Sequence, residues 1–314
     1  MDFTMSDEQV MLRDTARALL SKHCPMSLVR AHIGDPAAAD PLWEHLREWV
    51  VLADGPLVDL CLFLEECGAV LAPGAYLSTV LARRLMEIDG TASVALAGAD
   101  GQWTVNDEST KTFVLEADRV DDVLSVWSNG VTRSVVSDAR AVGSVDWSRR
   151  IFEVDVRPVS PRTTVNIDDW LERAWVAVAA ELVGTARWLL HTTLEYAKQR
   201  VQFDVPIGSF QAIQHKLANM SLAVERAVSA TYYAAMAIDA DDQDRHRAAH
   251  VAKAAAGRAA TLCAKDGIQI HGGIGYTWEH DLHLYIRRAY ASEHLLGTSG
   301  WHHDRLAALL LDGR

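Results

Sequence analysis

The stretch Tyr196–Met220, YAKQRVQFDVPIGSFQAIQHKLANM, decides how the rest of the chain is read. It opens as the end of a helix, from Tyr196 to about Val201, and passes through a Pro/Gly turn at Asp204-Val205-Pro206-Ile207-Gly208. A second helix follows, with Ser209 placed to cap it. Its apolar residues step by three and four through Phe210, Ile213, Leu217, Met220, Val224 and Ala227, so they share one stripe. A stripe of that width is buried against other helices. Packing does not account for Arg200-x-x-Phe203 at the turn. An arginine there suits an anionic ligand, because its planar fork matches phosphate oxygens; the alternative is a turn arginine paired with a nearby carboxylate.

At 314 residues the chain can bury a large core and hold two or three subdomains. A net charge of −12 argues against nucleic acid, whose backbone would be repelled. There is no apolar run long enough to span a bilayer and no basic-then-apolar leader, so the expectation is a cytoplasmic protein with no membrane partner. Cys24, Cys61, Cys67 and Cys263 follow no metal or redox spacing and read as buried thiols.

From the N-terminus, Ser6-x-x-Gln9 is a capping-box pattern opening a helix to about Lys22, and Asp40-Pro41 is a second helix start. Leu57 to Leu71 and Tyr76 to Ile88 read as two further helices, so residues 1–90 form a helical unit. From 91 to 160 the pattern changes to short β runs: Val94–Ala97, Thr112–Leu115, Asp122–Trp127, Val131–Val136 and Ile151–Val156. Turn residues at Gly101, Asn106, Asn129-Gly130 and Gly143 separate them. From 161 to 314 the chain is helical again, over 167–201, 209–240 and 246–270, with the acidic run Asp239 to Asp244 as a solvated connection. These three helices and the C-terminal segment predict a four-helix bundle. The fold class is mainly α with a small β domain.

The words R-x-Q-F-x-x-P-I-G-x-F-Q from Arg200 and Q-I-H-G-G-I-G-Y-T-W-E from Gln269 resemble two signatures of the acyl-CoA dehydrogenases, in order and at the expected distance. Glu65-Glu66-Cys67-Gly68 and Ala72-Pro73-Gly74 resemble that family's N-terminal domain more loosely. The resemblance implies the family's fold, with a reduced middle β domain, and FAD as cofactor. Carried over by position, it implies that Arg200 touches the FAD pyrophosphate of a neighbouring subunit and that Phe203 packs near the adenine. Gln211, Gln269, Gly272 and Gly273 complete the contact, and Thr298 joins the cofactor-binding set. By itself Gly272-Gly273-x-Gly275 is no dinucleotide fingerprint, since it follows an alanine-rich helix and not a strand.

Other parts of the family's equipment are missing. The loop and the tryptophan segment that hold the flavin ring are absent, with Gln102-Trp103-Thr104-Val105 the nearest equivalent. The family's glutamate base falls at Leu296 when counted from Arg287-Arg288-Ala289, and its alternative position, one helix earlier, at Ala174. Glu181 is a weak substitute and Glu172 a weaker one, while Glu293 reads as a cap or ion-pair partner. His280-x-x-His283 and His302-His303-Asp304 lack the third ligand of a metal site, so no metal is expected.

The expectation is therefore the short, degenerate subunit of an actinobacterial steroid-catabolic type heterotetramer. A full-length acyl-CoA dehydrogenase partner in an α2β2 assembly would bring the base and the flavin-ring cradle and share its FAD. The acyl-CoA substrate and an electron-transfer flavoprotein are the further partners by resemblance. The alternatives are a self-sufficient homodimeric dehydrogenase with a relocated base, and a scaffold or regulatory subunit without flavin.

Overall fold

The computed structural model describes residues 4–311. The first helix, α1 (Asp7–His23), starts at the capping box: Ser6 Oγ accepts the Gln9 amide while the Gln9 side chain accepts the Ser6 amide. A helix not foreseen from sequence, α2 (Met26–Gly34), comes next. The Asp40-Pro41 start gives α3 (Asp40–Leu46), but Ala39 is the capping residue, and the Asp40 carboxylate instead receives Arg119. Two apolar helices follow, α4 (Leu57–Ala69) and α5 (Tyr76–Arg83), the second shorter than the expected run to Ile88.

Helix α4 begins at Pro56, which has no side chain able to cap it. Asp239 does so from across the fold, its carboxylate accepting the amides of Leu57 at 2.8 Å and Val58 at 3.1 Å. An anion at a helix N-terminus satisfies orphan donors and opposes the dipole. The acidic run is thus not purely a solvated connection.

The middle segment forms β1 (Ala92–Ala95), β2 (Thr110–Leu115), β3 (Asp122–Trp127), β4 (Gly130–Ala141) and β5 (Ile151–Pro158). They make one sheet in the order β1-β3-β4-β5-β2, with β1 parallel to β3 and the other pairs antiparallel. A bridge between Gly98 and Lys111 brings the two edges together, so the sheet curls. The bulge in β2 between Lys111 and Val114 holds Phe113 at φ +57°. Bulges re-aim side chains, and this one turns the Phe113 ring out of the ladder.

The long helices α6 (Ile167–Gln199), α7 (Gln211–Asp239) and α8 (Arg245–His271) then pack with α9 (Leu282–His294) and α10 (Ser299–Leu311). The expected C-terminal segment of the bundle is therefore two helices. Ser209 does not cap α7: a 3-10 turn over Ile207–Ser209 intervenes, Phe210 is the capping residue, and the Ser209 hydroxyl donates to Pro206 O. Along the stripe, Met220, Val224 and Ala227 are buried, whereas Phe210 at the start is 38% exposed.

Helix α4 crosses α6 through two glycines. A methyl group at Gly68 would lie 2.0 Å from Glu181 O, and one at Gly184 would lie 1.8 Å from Glu65 O. Only hydrogen fits there, which lets the backbones touch. One hydrophobic core runs through α4, α6, α7 and α8, and a smaller one fills the curled sheet.

Candidate functional site

Two short strands, β6 (Val201–Gln202) and β7 (Val205–Pro206), form a hairpin whose tip is Phe203-Asp204. Both tip residues have positive φ, +53° and +62°. A bulky residue in that conformation costs on the order of 1 kcal/mol or more and persists only where its surroundings impose it. The Phe203 ring is 90% exposed, and among the described residues its ring neighbour is Phe210 at 6.2 Å. Arg200, at the C-terminus of α6, is exposed, and its guanidinium has no hydrogen-bond or ion-pair partner among the described residues. The hairpin offers an aromatic ring and a free cation to whatever lies outside the chain.

Gln211 is exposed at the first position of α7, and Gln269 is exposed near the end of α8. Gly272 (φ +63°) and Gly273 follow, with open space where a side chain would stand. Tyr196 ties the two signatures together: its ring stacks on His271 at 4.3 Å and its hydroxyl donates to His271 O. Tyr276 is 72% and Trp278 56% exposed just beyond the glycines.

Thr298 lines a cleft of about 750 Å³ between the curled sheet and helices α9 and α10. Its walls include Trp103, Phe113, Tyr290, Arg149 and Trp301. Trp103 and Phe113 stack at 5.4 Å, and the Trp103 indole N–H donates to His294 O, which closes the floor. Sequence reading found Trp103 but not the bulge that brings Phe113 to it.

The two positions where the resemblance puts the family's base, Leu296 and Ala174, line only small voids. Leu296 lines an apolar void of about 30 Å³ with Trp170, Trp103 and Leu81, and Ala174 lines one of about 10 Å³. Either holds a water or two at most. Glu181 is buried, and its Oε1 receives both Arg149 and Arg288, the latter at 3.4 Å. It lines neither the cleft nor the two voids. Arg288 also donates to Asp146 and to Ser148 Oγ. Burial alone would raise the Asp146 carboxyl, but Arg288 and Arg149 hold it below its ordinary value. Glu293 caps, as its sequence position implied, accepting the Ser299 amide at 2.6 Å.

The histidine pairs have other duties. His280 accepts the Leu282 amide, His283 packs edge-on against Trp278, and among the described residues no three ligand side chains converge as a metal would need. His302 and His250 face each other with Nδ1 atoms 2.7 Å apart beside Trp175. Burial pushes His302 down to about 2, helped by Lys253, and His250 down to about 3. Lys253 is wholly buried and donates to Glu293 O and Gly297 O; burial pushes it down to about 7. A charged residue on the small-residue face of an alanine-rich helix was the sequence signal for this cluster.

A family model for the acyl-CoA dehydrogenase C-terminal domain matches residues 168–311. The chain is 33% identical over 316 aligned positions to acyl-CoA dehydrogenase IpdE2 of Mycobacterium tuberculosis, covering 93% of this chain and 94% of that one. It belongs to the acyl-CoA dehydrogenase family. Acyl-CoA dehydrogenase FadE34 of the same organism is 34% identical over 302 residues, and there the match spans 83% of this chain and 39% of FadE34. The fold is shared with the ChsE4–ChsE5 complex of Mycobacterium tuberculosis at a TM-score of 0.83, 22% identity and 99% coverage of both chains. A variant of the Tcur3481–Tcur3483 steroid ACAD gives 0.84 at 24% identity, again over 99% of each.

Acyl-CoA dehydrogenases are FAD-dependent flavoproteins. The chemistry of the exposed set fits the phosphate and adenosine end of such a cofactor: an unpaired guanidinium, a solvent-facing ring, and two glycines with open space beside them. In this family member no helix among the described residues is long and apolar enough to cross a membrane.

Proposed function

We propose that this chain is one subunit of a hetero-oligomeric, FAD-dependent acyl-CoA dehydrogenase. A full-length partner supplies the catalytic glutamate and the flavin-ring cradle, and this chain supplies Arg200, Phe203, Gln211, Gln269, Gly272, Gly273 and Thr298 to a shared cofactor. The observation that carries the reading is a contrast. The residue in the base position, Leu296, faces a 30 Å³ apolar void, whereas the strained Arg200–Phe203 hairpin is turned outward, with the Arg200 guanidinium unpaired among the described residues and the Phe203 ring 90% exposed.

When bound, FAD supplies a hydride acceptor for α,β-dehydrogenation of an acyl-CoA thioester. Arg200 would hold the pyrophosphate by charge-assisted hydrogen bonds, and Phe203 would shield the adenine end from water. The voids at Leu296 and Ala174 leave no room for an acyl group at either of those two positions, which supports uptake of substrate by the partner. The paired Glu181 argues against a relocated base. The steroid ACAD and the ChsE4–ChsE5 complex among the fold neighbours support a steroid-derived acyl group and a hetero-oligomeric assembly; an α2β2 stoichiometry, an electron-transfer flavoprotein as electron acceptor and the cytoplasm as location belong to the same proposal. The chain is organised as a helical unit (1–90), a reduced β unit (91–160) and a C-terminal bundle (161–314).

The test is the absorption spectrum of the chain purified alone and after co-expression with a candidate full-length subunit. Alone it is expected to carry little or no FAD; together, the complex is yellow and reduces dye with an acyl-CoA. A yellow homodimer with one FAD per chain would overturn the reading.

A further inference from the structure

The turn between α9 and α10 is held in an unfavourable shape by side chains that the proposed function leaves without a task. Leu296 sits at φ +58° and Gly297 at φ +104°. Three carbonyls of this turn are tied down from the core. Lys253 Nζ donates to Glu293 O at 2.9 Å and to Gly297 O at 2.8 Å, and His302 Nε2 lies 3.2 Å from Leu296 O.

The third contact fixes the histidine tautomers. A carbonyl oxygen only accepts, so His302 carries its proton on Nε2, and neutral His302 then accepts at Nδ1 from His250 Nδ1–H. The donor chain runs His250 to His302 to Leu296 O, entirely inside the protein. On the far side of the same turn, Gly297 and Thr298 line the 750 Å³ cleft. Thr298 Oγ1 accepts the Trp301 amide at 3.1 Å, which leaves its own hydrogen free to donate.

A turn that only closed a core would not need a left-handed leucine, a buried lysine and an ordered histidine pair. Strain of this kind persists where the surroundings impose it, and it gathers at ligand sites. We propose that Lys253 and His302 are positioning residues, which hold the 293–298 turn so that Thr298 presents its hydroxyl to the cofactor from the wall of the cleft. The proposal rests on the reading of this chain as an FAD-binding subunit. Neither residue touches the cofactor.

The experiment compares wild type with Lys253→Met, His302→Leu and His302→Gln, the last of which keeps a donor at about the Nε2 position. Amide hydrogen exchange on the free chain reads the turn, and FAD retained by the complex with its partner after desalting reads the function. Lys253→Met and His302→Leu are expected to speed exchange at residues 295–299 about tenfold, with α6 and α7 unchanged, and to lower retained FAD several-fold. His302→Gln is expected to stay within about twofold of wild type in both. Unchanged exchange in Lys253→Met and His302→Leu overturns the proposal, as does faster exchange with full FAD retention. Thr298→Ala and Arg200→Ala in the same desalting assay separate the two failures. If those also retain all their FAD, the flavin-subunit reading has failed; if they lose it while the Lys253 and His302 variants do not, only the positioning role has.

Discussion

Arg288 on α9 and Asp146 in the connection between β4 and β5 form an ion pair 142 residues apart in sequence, with neither side chain more than 1% exposed. Arg149 and Glu181 complete the group, so two cations and two anions cancel inside the core. The cluster bolts the curled sheet to α6 and α9. It also gives Glu181 a structural duty, since its carboxylate anchors two arginines. Breaking such a group is costly because it strands a buried charge.

Glu181→Gln should therefore be a stability variant. Thermal or denaturant unfolding is expected to show a loss of about 3–5 kcal/mol. Turnover of the complex with its partner, measured at a temperature where the variant is folded, should be unchanged. Turnover abolished with flavin and fold intact would place the base in this chain.

Arg200→Ala separates a ligand contact from a surface charge. With a partner present, loss of a charge-assisted phosphate contact should cost about 1.5–3 kcal/mol of FAD affinity, roughly a ten- to hundred-fold weakening. Unfolding stability should move by no more than about 0.5 kcal/mol, since the exposed guanidinium has no partner among the described residues. Flavin absorbance after desalting, together with the melting temperature, checks both halves. Full flavin content in the variant would remove Arg200 from the cofactor site.

Gly184→Ala tests the crossing of α4 and α6. The added methyl would sit 1.8 Å from Glu65 O, where the contact is backbone and no rotamer change can relieve it. Overpacking of this kind should destabilise by about 3 kcal/mol or more, despite the better helix propensity of alanine. A variant with wild-type unfolding midpoint would show that the two helices can move apart.

Acid should unfold the protein through His250 and His302. Their folded values near 3 and 2 lie below the ordinary histidine value, so between about pH 6.5 and 3 the unfolded chain binds protons that the folded chain refuses. Stability then falls as pH falls, by up to about 1.4 kcal/mol per pH unit for each histidine. His302→Gln should flatten this slope, as read from unfolding midpoints between pH 7 and 4.5. An unchanged slope would mean that the pair does not set the acid limit.

Much of this protein was written locally. The helices around Tyr196–Met220, the capping box at Ser6 and the β runs Asp122–Trp127 and Ile151–Val156 lie within a few residues of where their patterns put them, because capping and side-chain period act over one or two turns of chain. The family words belong to the same level: the resemblance they carry is what singled out Arg200, Phe203 and the glycine pair. Ser209 was misread for a local reason, since a 3-10 turn and a helix cap share their residue preferences.

What the sequence could not decide was which distant groups meet. Asp239 looked like linker until the fold carried it to the N-terminus of α4, and Glu181 looked like a spare carboxylate until Arg149 and Arg288 closed on it. The cleft exists because a bulge turns Phe113 toward Trp103 while α9 and α10 stand opposite. Composition fixes how many charges and rings a chain has. Only the packing of helices against the sheet fixes which of them are desolvated together, and that makes the Glu181 carboxylate an anchor while the Arg200 guanidinium stays exposed.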